Sequence, residues 1–292
     1  MAEKSRANLR IAFQGEYGAF SEAAAIQLLG ESITTVPRAT FDSAFQAIDD
    51  GAADALLAPV ENTLAGSVVR VYDLLLESKL DIVAETILPI EHHVIGIPGA
   101  TLHGLHSVAS HPMALAQCEN FFLQHPNIKR VPAEDTAGSV RDAIARGEKS
   151  AAGIAGRRAA VRYGGVILAE AIQDNKENFT RFVLLVPRDS VNQNALLSPH
   201  MESKVHKLSL ALRLAHKPGA LLAALRPFAD HGVNLLKIES RPIHGRPWEY
   251  QFFLDVQTEE PAKLHEALHE AKSATSFFRI LGRYAPAQSV SS

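Results

Sequence analysis

The stretch Ile87-Leu88-Pro89-Ile90-Glu91-His92-His93-Val94-Ile95-Gly96-Ile97-Pro98-Gly99 holds two strand-like apolar runs, parted by Pro89 and closed by Pro98-Gly99. Proline interrupts a strand ladder, and a Pro-Gly pair turns the chain. On both sides short apolar runs alternate with helical patterns, so the stretch reads as a crossing between two α/β lobes. Toward the N-terminus, Leu9 to Phe13 predicts a strand, Gly15 to Gly18 a turn, and Ser21 the start of a helix with Glu22 in its first turn. Thr40 predicts an N-cap for a helix whose apolar face is Phe41, Ala44, Phe45 and Ile48, closed by Gly51. Ala55 to Ala58 predicts a buried strand ending at Pro59, and Val68, Val69, Tyr72, Leu75 and Leu76 recur at helical spacing.

Toward the C-terminus the second lobe would hold the strand Val108 to Ser110, a helix from Ala114 to Gln124 and the strand Ile128 to Val131. The helix Thr136 to Arg146 and the strand Ser150 to Ile154 follow. The chain would cross back near 165–180, after the first crossing near 87–98, for a strand containing Phe182 to Val186. Two crossings leave a cleft, a favoured place for small ligands. Residues 8–188 thus read as one two-lobed domain. Residues 189–205, rich in Ser, Asn, Gln and Pro, read as a linker. Residues 206–287 read as a βαββαβ unit of the ferredoxin-like kind: strand Leu208 to Leu214, helix Ala220 to His231, strands Val233 to Ile238 and Tyr250 to Val256, helix Pro261 to Ala271, strand Phe277 to Leu281.

Composition narrows the function. The 292 residues are 47% hydrophobic and 21% charged, as expected of a soluble globular protein. A net charge of -3 argues against nucleic acid as a partner. No apolar run reaches the ~18 residues of a membrane span, and the first residues lack a signal-peptide pattern. The lone Cys118 leaves no intrachain disulfide, which suits a reducing cytoplasm; it falls in a helical pattern and is expected in the core. His265-Glu266-Ala267-Leu268-His269 matches a zinc-protease pattern, but Leu264, Ala267, Leu268 and Ala271 fit one inward helix face, so no metal is expected there.

The chemistry points to Asn178-Phe179-Thr180-Arg181-Phe182, where a polar turn meets an apolar strand. The hydroxyl can donate a proton and the guanidinium can pair with a carboxylate. Neighbours in a regular strand face opposite sides, so the two could share a ligand only where the strand is irregular. The turn Gly15 to Gly18 opens a helix whose free N–H groups favour an anion. Asn62, Thr63 and Ser67 offer neutral hydrogen bonds beside Gly66, and His111 and Thr136 sit at helix starts of the second lobe.

In order along the chain, these motifs resemble those of prephenate dehydratases that carry a C-terminal ACT domain: Gly15 to Glu22, Pro59 to Val68, Ser110-His111-Pro112 with Ala116-Gln117-Cys118, Asp135-Thr136-Ala137, and Asn178 to Phe182. The chain departs from the family at Tyr17, often proline, and at Thr63, often serine. The resemblance implies a periplasmic-binding-protein-like catalytic domain. It implies loss of carbon dioxide and water from prephenate to give phenylpyruvate, with Thr180 catalytic and no cofactor. Asn62, Thr63, Gly66, Ser67, His111, Thr136, Asn178, Arg181 and Phe182 would bind substrate. Gly219, Ala220, Leu221, Glu239, Ser240, Arg241 and Pro242 would bind phenylalanine, the feedback inhibitor, where subunits of a homodimer or homotetramer meet. The wording Ser21-Glu22-Ala23-Ala24-Ala25 is also similar to arogenate dehydratases, which leaves arogenate open as substrate. A binding module without enzymatic activity, sensing an amino acid, is the remaining alternative.

Overall fold

The computed structural model describes residues 9–188, 205–243 and 245–287. The expected linker therefore lies, but for Val205, outside the described residues. The chain forms two compact units: residues 9–72 with 86–182, and residues 73–85 with 183–188 and 205–287.

In the first unit, β1 (Arg10–Gln14) pairs in parallel with β2 (Thr34–Arg38) and β3 (Ala55–Asn62). Helices α1 (Phe20–Leu29) and α2 (Phe41–Asp49) connect these strands. Thr40 caps α2 as expected, in a reciprocal capping box with Ser43. β3 does not end at Pro59; it continues to Asn62 and turns back through β4 (Gly66–Ser67). The chain then enters α3 (Val69–Glu77) and β5 (Leu80–Pro89).

The second lobe is a five-stranded sheet in the order β10-β6-β9-β7-β8. Its strands are β6 (His93–Gly96), β7 (Ser107–Ser110), β8 (Lys129–Pro132), β9 (Ala151–Ala155) and β10 (Val166–Ala169). β7 is parallel to β8 and β9, whereas β6 is antiparallel to β9 and β10. The return crossing is therefore shorter than 165–180, because β10 still belongs to this sheet.

The helix expected from Ala114 to Gln124 is two helices, α4 (Pro112–Ala116) and α5 (Glu119–Gln124), with Cys118 as the N-cap of the second. The break has a distant cause. The Asp174 carboxylate accepts from the main-chain N–H of Glu119 (2.8 Å) and Asn120 (2.9 Å), and an anion at this end favours a new helix start. Helix α6 (Thr136–Arg146) matches the expected span and is capped by Asp135, and α7 (Arg157–Tyr163) follows β9. β11 (Phe179–Pro187) contains the expected Phe182 to Val186.

In the second unit, β12 (His206–Arg213), α8 (Ala220–Asp230), β13 (Asn234–Ile243), β14 (Arg246–Thr258), α9 (Pro261–Ser273) and β15 (Phe277–Tyr284) give the βαββαβ order. Leu208, Leu210, Leu212, Phe228, Leu254, Leu264 and Ala267 are buried between sheet and helices. In the same unit β15 pairs in parallel with β5 through Gly282 and Ile82. A Cβ at Gly282 would lie 2.1 Å from the Ile82 carbonyl oxygen, so only glycine fits. Arg279 donates to the carbonyls of Leu76, Ser78 and Leu80.

Candidate active site

The parallel strands of the first unit deliver their carboxyl ends to Gln14, Asn62, Ser110, Pro132 and Ala155. Open α/β sheets bind ligands at such ends. Asn62 closes β3, and its Oδ1 accepts from the main-chain N–H of Leu64 (3.0 Å) and Ala65 (2.8 Å). Its Nδ2 therefore faces β11, where it donates to Asn178 Oδ1 (2.8 Å), Thr180 Oγ1 (2.9 Å) and the Phe179 carbonyl (3.1 Å). A hydroxyl that accepts a hydrogen bond keeps its own proton free to donate. Asn62 thus donates to the Thr180 hydroxyl, a partner the sequence alone does not name.

The Asn178 amide carries the chain of bonds into the second lobe. Its Nδ2 donates to Gln117 Oε1 at 3.0 Å, and His92 Nε2 lies 3.0 Å from the same oxygen. Asn178 and Thr180 are both buried. Gln117 and His92 are missing from the expected site, although Gln117 stands inside a quoted motif. Their signal lies in pairing over long sequence distance, which periodicity does not carry.

Other residues take different places. The Thr63 hydroxyl donates to the Glu177 carbonyl (2.7 Å) and accepts from the Phe179 N–H (3.0 Å), so it closes the strand start. β11 is regular here: Thr180 and Phe182 are buried on one face while Phe179 and Arg181 alternate with them. Arg181 reaches Glu61 at 3.8 Å. The irregularity that would bring Arg181 beside Thr180 is absent. His111 caps α4, accepting through Nδ1 from the Met113 N–H. Thr136 is the first residue of α6, where Asp135 provides the cap.

The helix start expected to receive an anion already holds one. Glu22 turns back, accepting from the Gly18 N–H (2.7 Å) and Thr35 Oγ1 (2.8 Å), and pairs with Arg158 (3.1 Å). The second lobe clasps the same turn. Arg141 pairs with Glu16 at 2.9 Å, Tyr163 donates to the Tyr17 carbonyl at 2.7 Å, and the Arg162 guanidinium stacks 4.3 Å from the Tyr17 ring. Gly18 has φ +87°, and a Cβ there would meet Ala159 Cα at 2.8 Å. Gly18→Ala is expected to destabilise the fold by about 1–3 kcal/mol through backbone strain and this clash. Urea unfolding checks it, and an unchanged midpoint would refute the tight fit.

A cavity of about 330 Å³ opens between α6 and the second-lobe sheet, beside Ser107, Val131, Asp135 and Ser139; none of the expected site residues lines it. Burial pushes the Cys118 thiol up to about 12, in keeping with a core residue. Burial holds His92 and His93 below the ordinary histidine range. The unfolded chain therefore takes up protons first as pH falls. The stability these neutral rings contribute is full above about 6.5 and is lost as pH drops from there toward the folded values. The melting temperature is expected to decline below about pH 6.5, less steeply in His93→Gln; equal slopes in the two proteins would exclude His93.

In the second unit a cavity of about 150 Å³ is lined by Leu214, Lys217, Ala220, Leu221, Trp248 and Tyr250. Gly219, with φ +77°, caps α8 at this point. Glu239, Ser240, Arg241 and Pro242 lie on β13 and do not line it. In α9, Leu264, Ala267, Leu268 and Ala271 face inward, and among the described residues no cluster of three His, Cys, Asp or Glu could hold a metal ion.

A two-lobed α/β unit with a buried hydroxyl-amide chain, joined to a βαββαβ unit with its own cavity, defines a ligand-binding protein of the regulated-enzyme kind. Comparison with known proteins makes it particular. The prephenate dehydratase family model matches residues 11–190 and the ACT domain model residues 209–272. The chain is 38% identical over 291 residues to arogenate dehydratase/prephenate dehydratase 1 of Arabidopsis thaliana, covering 94% of this chain and 72% of that one. It is 35% identical over 278 residues to the bifunctional chorismate mutase/prephenate dehydratase of Aquifex aeolicus, covering 94% and 73%. Among solved structures, a prephenate dehydratase from Arthrobacter aurescens in complex with L-Phe superposes with a TM-score of 0.82 at 30% identity, covering 96% and 90%. A protein described as a novel type of quorum-quenching acylase superposes with a TM-score of 0.84 at 34% identity, covering 96% and 98%. The chain belongs to the prephenate dehydratase family and carries an ACT domain.

Proposed function

We propose that this chain converts prephenate to phenylpyruvate in L-phenylalanine biosynthesis, with loss of water and carbon dioxide, and that Thr180 serves the departing hydroxyl. The hydrogen bond from Asn62 to Thr180 carries the reading, because it leaves the threonine proton free. Hydroxide is a poor leaving group, and donation to it removes the main barrier before the ring becomes aromatic. Asn62, Gly66 and Ser67 from the first lobe, with His111, Gln117 and Thr136 from the second, are assigned to the substrate's polar groups. Asn178 and Thr63 hold the strand start, Phe182 backs Thr180, and Arg181 braces Glu61. A threonine acting as an acyl-transfer nucleophile needs a base. Among the described residues the side-chain partner of Thr180 is an amide donor, which favours dehydration over acylase chemistry.

The cavity beside Ala220 and Leu221 is assigned to phenylalanine as inhibitor, with Glu239, Ser240, Arg241 and Pro242 supplied from a second copy of the chain in a homodimer or homotetramer. Arogenate is the second substrate reading, favoured by relatives named arogenate dehydratase at 38–39% identity. The lone buried cysteine supports a cytoplasmic setting. Purified protein given prephenate or arogenate should form phenylpyruvate or phenylalanine respectively, and added phenylalanine should slow it. Turnover of neither acid would sink the enzyme reading; a rate indifferent to phenylalanine would remove the inhibitor site.

A further inference from the structure

His92 lies at the first crossing, 2% exposed, and among the described residues its Nδ1 is buried without a hydrogen-bond partner. A bare buried acceptor loses its hydration without compensation, which is unfavourable. The directions of the neighbouring hydrogen bonds give the ring a reason to bear that cost. Main-chain N–H groups of Leu64 and Ala65 can only donate, so the Asn62 atom they meet is its oxygen. The Asn62 nitrogen then faces Asn178, which must present its own oxygen. The Asn178 nitrogen in turn faces Gln117, which must present Oε1. A carboxamide oxygen cannot donate, so the proton between His92 and Gln117 sits on His92 Nε2, and Nδ1 is the bare nitrogen.

Two donors now fix the Gln117 oxygen, and among the described residues its NH2 makes no hydrogen bond. We propose that His92 is a positioning residue for the dehydration: its Nε2–H locks the Gln117 carboxamide so that the NH2 group is left to the substrate. This rests on the site reading given above. The ring is itself well anchored. Its main-chain N–H donates to Gln173 Oε1 at 2.9 Å, and Phe20 packs against it edge-on at 5.6 Å and 81°. Gly156 in turn leaves the space Phe20 fills, since a Cβ there would come within 2.8 Å of its ring. Burial keeps the imidazole neutral, with a single ring proton.

The test combines kinetics with ring nitrogen spectroscopy. His92→Leu removes the donor, whereas His92→Gln keeps an N–H at similar reach. His92→Leu is expected to lower kcat about 10- to 100-fold with KM within about threefold, as for a misaligned group, and His92→Gln to recover most of the loss. In a Gln117→Ala background, His92→Leu should add less than about a twofold change. Independent multiplication of the two effects, or a His92→Gln as poor as His92→Leu, overturns the role. In the wild-type protein, nitrogen NMR of the imidazole should show the proton on Nε2; a proton on Nδ1 overturns it without any need for the variants to fold. Loss of activity in Thr180→Ala beside full activity in His92→Leu defeats the His92 role alone. Full activity in Thr180→Ala defeats the site reading as well.

Discussion

Thr180→Ala is expected to lower kcat by about 10²–10⁴-fold, the span a general acid or oriented proton donor contributes. KM should change little, because the loss falls on the departing hydroxyl rather than on binding. The fold should survive: Thr180 is buried near the start of β11, but among the described residues its hydroxyl makes one hydrogen bond, from Asn62, whose nitrogen keeps Asn178 and the Phe179 carbonyl as partners. Thr180→Ser keeps the hydroxyl and should retain most of the rate. Asn62→Asp separates polarisation from mere presence of the hydroxyl. A carboxylate accepts instead of donating, so it would draw the Thr180 proton toward itself and away from the substrate. Asn62→Asp is therefore expected to cost nearly as much as Thr180→Ala. Steady-state rates on prephenate decide the matter, and wild-type kcat in Thr180→Ala would remove Thr180 from the chemistry.

Lys207→Met is expected to destabilise the protein by about 3–5 kcal/mol, the usual cost of stripping one partner from a buried ion pair. Glu85 is 5% exposed and Lys207 7%. The ammonium donates to both carboxylate oxygens, at 2.9 and 3.0 Å, and the Ala287 N–H adds a third bond at 2.9 Å. Methionine keeps the aliphatic stem beneath the charge and so isolates the loss of the ammonium. Nearby, Ser209 bonds both Asp255 and the Tyr284 hydroxyl, so the whole patch is polar and enclosed. Pairing Lys207→Met with Glu85→Gln removes both charges and should recover part of the stability. Denaturant midpoints of the three variants measure this; a loss below about 1 kcal/mol in the single variant would mean that solvent already screens the pair.

Local signals carried much of this structure. Thr40 with its capping box and the span Thr136 to Arg146 are readable because caps and apolar spacing lie within one helix. The βαββαβ order is readable because each element has its own period. What failed depends on residues far away in sequence. The 114–124 helix breaks because Asp174 caps Glu119 across 55 positions. Strand β2 goes unread because it is a half-buried edge containing Pro37. The site shows the same division. The Asn178 to Phe182 segment and Asn62 stand out as motifs, but the bond that joins them spans 118 positions, and His92 and Gln117 enter only through such bonds. The anion site at α1 was misread because Glu22 scores as a first-turn acid without showing that it folds back to fill that site itself.

A regulatory cassette that can be moved between proteins needs a clean seam, and this chain does not have one after residue 188. Gly282 admits Ile82 so closely that no side chain fits between them, and the backbone carbonyls of Leu76, Ser78 and Leu80 are held by Arg279. Residues 73–85 are thus stitched to a partner segment about two hundred positions later. A chain cut after residue 188 would leave these carbonyls and Glu85 without their mates, so a lost response to inhibitor in such a fragment would also reflect damaged folding. Transplanting the sensor onto another enzyme would require carrying α3's end and the first half of β5 along with it, two separate pieces of sequence rather than one tail.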